Sequence, residues 1–374
     1  AHTSAKELPS VCIVVPCFNE EKTVGATISS LLALDYPHDK LRIVAVNDGS
    51  TDGTASALQD LAHDPRVTIL SKENGGKHTA MNLALSKVHT DYIGCLDADS
   101  FVAPDALRTS IAHIMQTGAA AVTPAILVHK PRRIIELIQQ AEYALSIFVR
   151  RAFAKANAVF ITPGPFSIFR RTVLNQIGGW RHAHGTEDME IALRLQEHHL
   201  AITNSPRTRV YTVAPRTLRA LYKQRVRWTY GFIMNSWDYR HMFGSRAYGS
   251  LGTIILPAAI ISIGAAIYFT SVIIADIFSR IASIFLKIET VGISITPSIP
   301  ALDPFFFNTT AAALVVYVLI TLAVSLILTG QHISGEKINP VSIPLYILAY
   351  GFMAPVWLAG ALVRTALRAP APWR

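Results

Sequence analysis

The last third of the sequence contains three long runs without a charged side chain, at residues 251–275, 305–330 and 341–363. A helix rises about 1.5 Å per residue, so each run is long enough to cross the roughly 30 Å hydrocarbon core of a bilayer. Only 16% of all residues are charged and the mean hydropathy is +0.35, which agrees with a chain that is partly in lipid. We therefore predict a membrane domain at residues 241–374 with about three transmembrane helices.

The segment between the first two runs, residues 280–303, is mixed in polarity and contains Pro297 and Pro300. Such a pattern predicts an interfacial segment. Three crossings would place the terminal arginines opposite a cytosolic domain, against the positive-inside tendency, so the number and orientation of the spans stay open. The sequence begins at Ala1 without Met or a signal peptide, and further spans upstream are a second open alternative.

Residues 1–240 have a different pattern, in which short apolar runs alternate with amphipathic stretches. This alternation predicts an α/β fold with a mostly parallel sheet, covered by helices on both faces. A long amphipathic pattern at residues 132–155 predicts a helix on the surface or at the membrane interface. The predicted strands are residues 11–15, 41–46, 67–70 and 92–96, with helices at 22–34 and 78–87.

The net charge of +9 points to an anionic partner. Nucleic acid, an anionic membrane face and phosphorylated small molecules all fit a basic protein. No nucleic-acid-binding signature is present, so we predict no nucleic-acid partner. The three cysteines, Cys12, Cys17 and Cys95, form no Cys-x-x-Cys pair, which predicts free thiols without a zinc site.

Polar clusters follow the predicted strands, at the sheet edge where such folds bind ligands. Asp97 and Asp99 come directly after a buried strand, and two carboxylates there could hold Mg²⁺ or Mn²⁺ on a diphosphate. A polar turn is the alternative for an isolated Asp-x-Asp. Asp48 ends the second strand and could accept from a uracil N–H, or simply belong to a turn. Gly75-Gly76-Lys77 precedes a helix, where amides and the ammonium favour a phosphate.

Taken together in this order, the motifs resemble a processive membrane glycosyltransferase of family 2, the type that makes cellulose, hyaluronan, chitin oligosaccharides or poly-N-acetylglucosamine. The resemblance covers residues 10–228. Its motifs are Pro16-Cys17-Phe18-Asn19-Glu20, Val46-Asn47-Asp48-Gly49-Ser50, Gly75-Gly76-Lys77, Asp97-Ala98-Asp99, Thr186-Glu187-Asp188 and Gln224-Arg225-Val226-Arg227-Trp228.

The resemblance implies a GT-A fold and a role for each motif. Asp97 and Asp99 would serve both the nucleotide and its divalent cation. Asp188 would be the general base that takes the proton of the acceptor hydroxyl, although a helix start with acidic residues in its first turn is the plain alternative. The acceptor would meet Gly164, Glu187 and Trp228. The nucleotide-sugar would be bound by Pro16, Phe18, Glu20, Asp48, Lys77, Asp97, Asp99, Gln224, Arg225 and Arg227.

The predicted function is that of an inverting hexosyltransferase, which adds sugar from a UDP-sugar to the end of a growing polysaccharide. The run at residues 215–219 is more similar to poly-N-acetylglucosamine and nodulation-type synthases than to cellulose synthases, which favours UDP-N-acetylglucosamine. Transfer of one sugar to a lipid-linked acceptor is the first alternative, and a nucleotide-binding scaffold without turnover is the second. The protein would sit in a bacterial-type plasma membrane, its catalytic domain cytosolic, with a homo-oligomer or an accessory subunit as further partners.

Overall fold

A computed structural model describes residues 8–291 and 311–367 of the protein. An eight-stranded sheet forms the first part of the fold. The four strands predicted from apolar runs are confirmed as β1 to β4, each within two residues of its expected end. The strands are β1 (Val11–Cys17), β2 (Leu41–Asp48), β3 (Val67–Lys72), β4 (Tyr92–Cys95), β5 (Ser100–Val102), β6 (Ala121–Val128), β7 (Ile168–Arg170) and β8 (Ile202–Thr212).

The strand order is β3-β2-β1-β4-β7-β6-β8-β5. The first four strands pair in parallel, as do β6 and β8. However, β7 is antiparallel to both of its neighbours and β5 is antiparallel to β8, so the sheet is mixed. The prediction of a mostly parallel sheet is confirmed, since six strands share one direction and two run against it. Both exceptions are only three residues long, too short to leave a periodic apolar signal.

Helices cover both faces of the sheet, as predicted, because alternate residues of each buried strand point to opposite sides. On β1, Ile13 packs with apolar residues of α1 and α4, whereas Val14 packs with those of α3, α6 and α7. The helices of this part are α1 (Val24–Leu32), α2 (Thr54–Gln59), α3 (Lys77–Lys87), α4 (Ala106–Thr117), α5 (Ile134–Lys155), α6 (Arg171–Ile177), α7 (Glu187–Glu197) and α8 (Leu218–Asp238). Cys12, Cys17 and Cys95 are buried free thiols.

Three further helices follow: α9 (Leu256–Val291), α10 (Ala311–Ser334) and α11 (Ser342–Ala366). By length and composition, the segments Leu251–Thr290, Ala313–Ser334 and Ser342–Ala366 are each suited to cross a membrane. They overlap the three predicted spans, of which residues 305–310 lie outside the described part of the chain.

The first part of the predicted interfacial segment at 280–303 is helical. Residues 280–291 continue α9, which has 36 residues and a length of about 54 Å. The helix continues because no proline follows Pro257 of its first turn before residue 291, and because Asp276 and Arg280 pair one turn apart, at 2.7 Å. Residues 292–303 lie outside the described residues.

The membrane helices α10 and α11 pack directly on α5 and α8. Glycine makes this approach close. A Cβ on Gly330 of α10 would collide with the carbonyl oxygen of Ala144 in α5, and one on Gly360 of α11 would collide with the Tyr222 hydroxyl in α8. Helix α5 therefore lies between the sheet and the membrane helices, and the predicted domain boundary at residue 240 comes just after α8.

Candidate active site

The loops that follow β1 and β2 are tied to each other at one edge of the sheet. The Asn19 N–H donates to Ser50 Oγ (3.1 Å), and the Thr51 N–H donates to Asn19 Oδ1 (2.8 Å). Asn19 adopts a left-handed backbone with φ of 56°, a conformation that asparagine tolerates better than most residues. The structure places three predicted nucleotide-binding residues on this edge: Pro16, Phe18 and Glu20.

Asp48, at the end of β2, anchors the glycine-rich loop. Its Oδ1 accepts from Lys72 Nζ (2.7 Å) and from the Gly75 N–H (3.1 Å), and its Oδ2 accepts from the Gly76 N–H (2.9 Å). The carboxylate is buried. A carboxylate has about four acceptor positions, so Asp48 keeps room for a further donor such as a base N–H while it holds the loop in place.

Lys77 begins α3 and joins two of the predicted motifs. Its Nζ lies 2.6 Å from Asp97 Oδ1 and 3.0 Å from Glu187 Oε1. Burial alone would lower the pKa of Lys77, but the two carboxylates raise it well above its usual value. The ammonium therefore stays charged, and it links the end of β4 to the start of α7.

Asp188, the predicted base, lies beside this cluster in the first turn of α7. Burial, followed by the charge of Glu187, raises the pKa of Asp188 to about 6. The pKa of Glu187 is lowered instead, because its contact with Lys77 outweighs the effect of burial. Of the two adjacent carboxylates, Asp188 is the one that holds a proton more strongly, and a base works best when its pKa is near the working pH.

The loop that contains Gly164 packs against Lys77, Asp97 and Asp188. The Thr162 N–H and hydroxyl both donate to the Asp188 carbonyl oxygen, at 2.9 Å each. A Cβ built on Gly164 would lie 2.8 Å from both carboxylate oxygens of Asp97 and would collide with Lys77 Nζ. Glycine at this position is therefore needed for the Lys77–Asp97 ion pair.

Gly164→Ala is expected to reduce donor affinity more than stability. The added methyl group must displace Lys77 or Asp97, because real Cβ atoms are almost never found so close to other atoms. We expect donor binding at least about tenfold weaker, equivalent to about 1.4 kcal/mol, as measured by titration calorimetry with nucleotide-sugar. Gly25→Ala is the structural control, since that glycine in α1 has open space around it and no positive φ. Equal donor affinity in the wild type and Gly164→Ala would contradict the close contact.

The Gln-x-x-Arg-Trp motif lies on α8. Arg227 is near enough to Glu187 and Asp188 to lower the pKa of each, which places a positive charge beside the acidic cluster. The side-chain oxygen of Gln224 is buried and has no hydrogen-bond partner among the described residues. Arg227 therefore places a positive charge near Glu187 and Asp188, and Gln224 lies one turn away from it on α8.

Arg225 differs from its prediction as a diphosphate ligand. Its Nη2 donates to Glu142 Oε2 of α5 at 2.7 Å, and its side chain is only 5% exposed. Its guanidinium also lies over the ring of Trp228, 4.4 Å from the centroid. Helix periodicity explains the difference: Arg225 and Arg227 are two positions apart and so face in different directions. We do not include Arg225 among the diphosphate ligands proposed below.

Asp97 and Asp99 are suited to hold a divalent cation, since carboxylate oxygens are ligands for hard cations. Asp97 is one-third exposed and Asp99 accepts from the Ser100 hydroxyl at 3.2 Å. Within the described part of the chain, no three His, Cys, Asp or Glu side chains form a ready cluster for metal. Such a pair therefore supplies only part of a coordination shell, and a diphosphate and water would have to supply the remainder.

Two residues that sequence reasoning missed belong to this region. Thr162 fixes the Gly164 loop to Asp188, and Glu142 pairs with Arg225. A charged residue on a predicted amphipathic helix was the only signal for Glu142, because its partner lies 83 positions away. Thr162 left no signal beyond its place in a Pro/Gly-rich loop.

Comparison with known proteins finds a matching family profile and two similar relatives. Residues 12–178 match the profile described as Glycosyl transferase family 2. The poly-beta-1,6-N-acetyl-D-glucosamine synthase of Staphylococcus aureus (strain COL) is 33% identical over 230 residues, which are 60% of this chain and 55% of that protein. The synthase of the same name from Staphylococcus epidermidis is 31% identical over 229 residues, again 60% and 55%. The chain thus spans about half the length of the curated relatives it matches.

Among solved structures, the fold is similar to the mannosyltransferase PcManGT from Pyrobaculum calidifontis, which was solved in complex with GDP-Man and Mn²⁺. The match has a TM-score of 0.60 at 21% identity and covers 98% of this chain and 89% of that chain. It confirms the predicted GT-A fold. The match to the glycosyl transferase family 2 profile agrees with the resemblance seen in the sequence motifs, and it covers residues 12–178.

Proposed function

We propose that the protein is an inverting hexosyltransferase that adds sugar from a UDP-sugar to the end of a polysaccharide at the membrane. The observation that carries the proposal is the partly buried cluster of Lys77, Asp97, Glu187 and Asp188, in which one carboxylate has its pKa raised to about 6. The order of its motifs and the names of the relatives support a carbohydrate polymer as product and UDP-N-acetylglucosamine as donor.

In the proposed reaction, Asp188 takes the proton of an acceptor hydroxyl while that oxygen attacks the anomeric carbon. Attack from the face opposite the leaving diphosphate inverts the configuration. Arg227 and Gln224 bind the departing diphosphate, and preorganised charge of this kind stabilises negative charge as it develops. Glu187 stays ionised through Lys77, which keeps it from competing for the proton. Trp228, which is 39% exposed, offers a ring on which an acceptor sugar can stack.

A divalent cation held by Asp97 and Asp99 would neutralise charge on the diphosphate. We expect Asp97→Asn and Asp99→Asn each to weaken Mn²⁺ binding at least about tenfold in the presence of UDP, as a carboxylate ligand is lost. Free Mn²⁺ is measured by electron paramagnetic resonance. Asp105→Asn is the control, since its carboxylate is exposed and pairs with Arg209 instead. Equal Mn²⁺ affinity in Asp97→Asn and Asp105→Asn would contradict the assignment of a cation site to Asp97 and Asp99.

The test of the function is nucleotide release by the protein in lipid nanodiscs, with a panel of UDP-sugars and Mg²⁺ or Mn²⁺. Products are sized by mass spectrometry, and Asp188→Asn is the control. A sugar ladder from one donor, absent in the control, is the expected result and names the donor. A single sugar on a lipid would replace the polymer with a lipid-linked acceptor. Donor binding without turnover on any acceptor would reject the enzyme activity for the chain on its own.

A further inference from the structure

A chain of polar contacts connects a membrane helix to the exposed indole of Trp228. The Tyr350 hydroxyl, on α11, donates to Glu142 Oε1 at 3.1 Å. Glu142, on α5, accepts from Arg225 Nη2 through its other oxygen at 2.7 Å. The Arg225 guanidinium then lies 4.4 Å from the centroid of the Trp228 ring. Three helices that are far apart in sequence thus meet through one carboxylate.

Burial shows that Glu142 is the residue in this series of contacts that holds Arg225 in place. The side chain of Arg225 is 5% exposed and that of Glu142 is 18% exposed. Arg225 Nε and Nη1 are buried and have no hydrogen-bond partner among the residues that the structure describes. Glu142 is the anion that pairs with the guanidinium, Tyr143 also interacts with it, and the cation–π contact with Trp228 is a further interaction that orients it.

The position of Arg225 has a direct effect on Trp228. The two residues are three positions apart on α8, so their side chains lie side by side on the helix surface. Arg225 covers one face of the indole and leaves the other available, consistent with the 39% exposure of Trp228. Without such a contact, an exposed tryptophan samples several rotamers about its two side-chain bonds. A stacking surface for a sugar needs one orientation of the ring.

We propose that Glu142 is a positioning residue: through Arg225 it holds the Trp228 ring in the orientation that receives the acceptor sugar, and Tyr350 ties this arrangement to the membrane helix α11. The role in acceptor binding rests on the proposed function. The positioning of Trp228 itself does not, because it can be observed without turnover.

The chain contains a matched control with the same chemistry. Glu336, in the segment between α10 and α11, accepts from Arg209 Nη1 at 3.1 Å and from the Tyr211 hydroxyl at 2.8 Å. It is also a Glu–Arg–Tyr set that joins the membrane helices to the catalytic domain. Glu336→Gln therefore removes the same charge in a comparable setting, with no contact to Trp228.

The first measurement is fluorine NMR of protein labelled with 5-fluorotryptophan, in nanodiscs and without donor. The sequence has five tryptophans, and the Trp228 resonance is identified by its loss in Trp228→Phe. Glu142→Gln should shift or broaden that resonance, Tyr350→Phe should do so to a lesser degree, and Glu336→Gln should leave it unchanged. An unchanged Trp228 resonance in Glu142→Gln, with the other four also in place, would overturn the proposal.

The second measurement separates acceptor from donor effects in the transfer assay. Glu142→Gln should raise the acceptor KM about tenfold, as expected for loss of an oriented stacking surface, with donor KM and donor hydrolysis unchanged. Equal changes in Glu142→Gln and Glu336→Gln would assign the effect to general destabilisation and reject positioning. A shifted Trp228 resonance in a protein that transfers no sugar would support the positioning of Trp228 and reject the proposed function instead.

Discussion

Asp188→Asn should lower the transfer rate by about 10²–10⁴-fold, the usual contribution of a general base. Asparagine has nearly the same shape, so the backbone hydrogen bonds from Thr162 to the residue 188 carbonyl remain. Donor binding should stay within about twofold of the wild type, because Lys77 and Asp97 are unchanged. Stopped-flow nucleotide release gives the rate, and calorimetric titration gives the donor affinity. A loss of donor affinity as large as that in Asp97→Asn would contradict the role of base.

The pH dependence of the same reaction follows from the raised pKa of Asp188. The base must be ionised, so the rate should rise as pH increases through about 6 and then level off. Ionisation of Asp188 has the opposite effect on the stability of the fold, which decreases as the pH rises. A carboxyl group whose folded pKa lies above its unfolded value destabilises the fold progressively as the pH rises from the unfolded to the folded pKa, and fully above the folded pKa. Asp188→Asn should therefore melt no lower than the wild type at pH 8, by differential scanning fluorimetry, and a clear drop would mean that the lost activity reflects unfolding.

Much of this fold follows from local sequence patterns. The runs that became β1 to β4 are buried and apolar, and turn residues follow each of them, so their ends were predicted within two residues. Asp97 and Lys77 were found because motifs at parallel strand ends share one edge. By contrast, β5 and β7 are too short to carry a periodic signal, and they are the strands that make the sheet mixed. Local sequence patterns therefore predict β1 to β4 and miss the two short antiparallel strands.

The remaining differences arise from contacts between residues far apart in sequence. Arg225 was expected at the diphosphate because it stands beside Arg227 in a basic motif, but the structure pairs it with Glu142 of α5. Arg225 and Glu142 lie 83 positions apart and on different helices, so neither composition nor a local pattern reveals the pair.

Lys77→Met should have the largest effect on stability and donor binding together. Methionine keeps the length of the side chain but removes the charge, which leaves Asp97 and Glu187 facing each other without a cation. Breaking a buried ion pair by removing one partner costs about 3–5 kcal/mol, and the one-third exposure of Asp97 places the expected loss near the lower figure, about 3 kcal/mol. Donor affinity should fall as well, because Asp97 no longer has a fixed position.

The dependence of that loss on pH identifies its cause. In the wild type, Lys77 lowers the pKa of Glu187, so its stabilisation is present above the unfolded value and is lost as pH falls through the folded pKa. In Lys77→Met the pKa of Glu187 should rise instead, so repulsion appears only at higher pH. The difference in melting temperature between the two proteins should therefore be largest at pH 7 to 8 and shrink as the pH falls through about 4.5, where glutamate is half-protonated in the unfolded chain, towards the lowered folded pKa of Glu187.

Lys72→Met provides the matched comparison. Lys72 also pairs with a buried aspartate, Asp48, at 2.7 Å. That carboxylate keeps two backbone donors, the N–H groups of Gly75 and Gly76, after the lysine is removed. Its loss should therefore be smaller than that of Lys77→Met and should not fall with pH in the same way. Equal melting curves for the two variants would mean that the ion pairs of Lys77 contribute no more than an ordinary surface pair. The acidic cluster would then be held in place by α7 and the Gly164 loop rather than by the lysine between them.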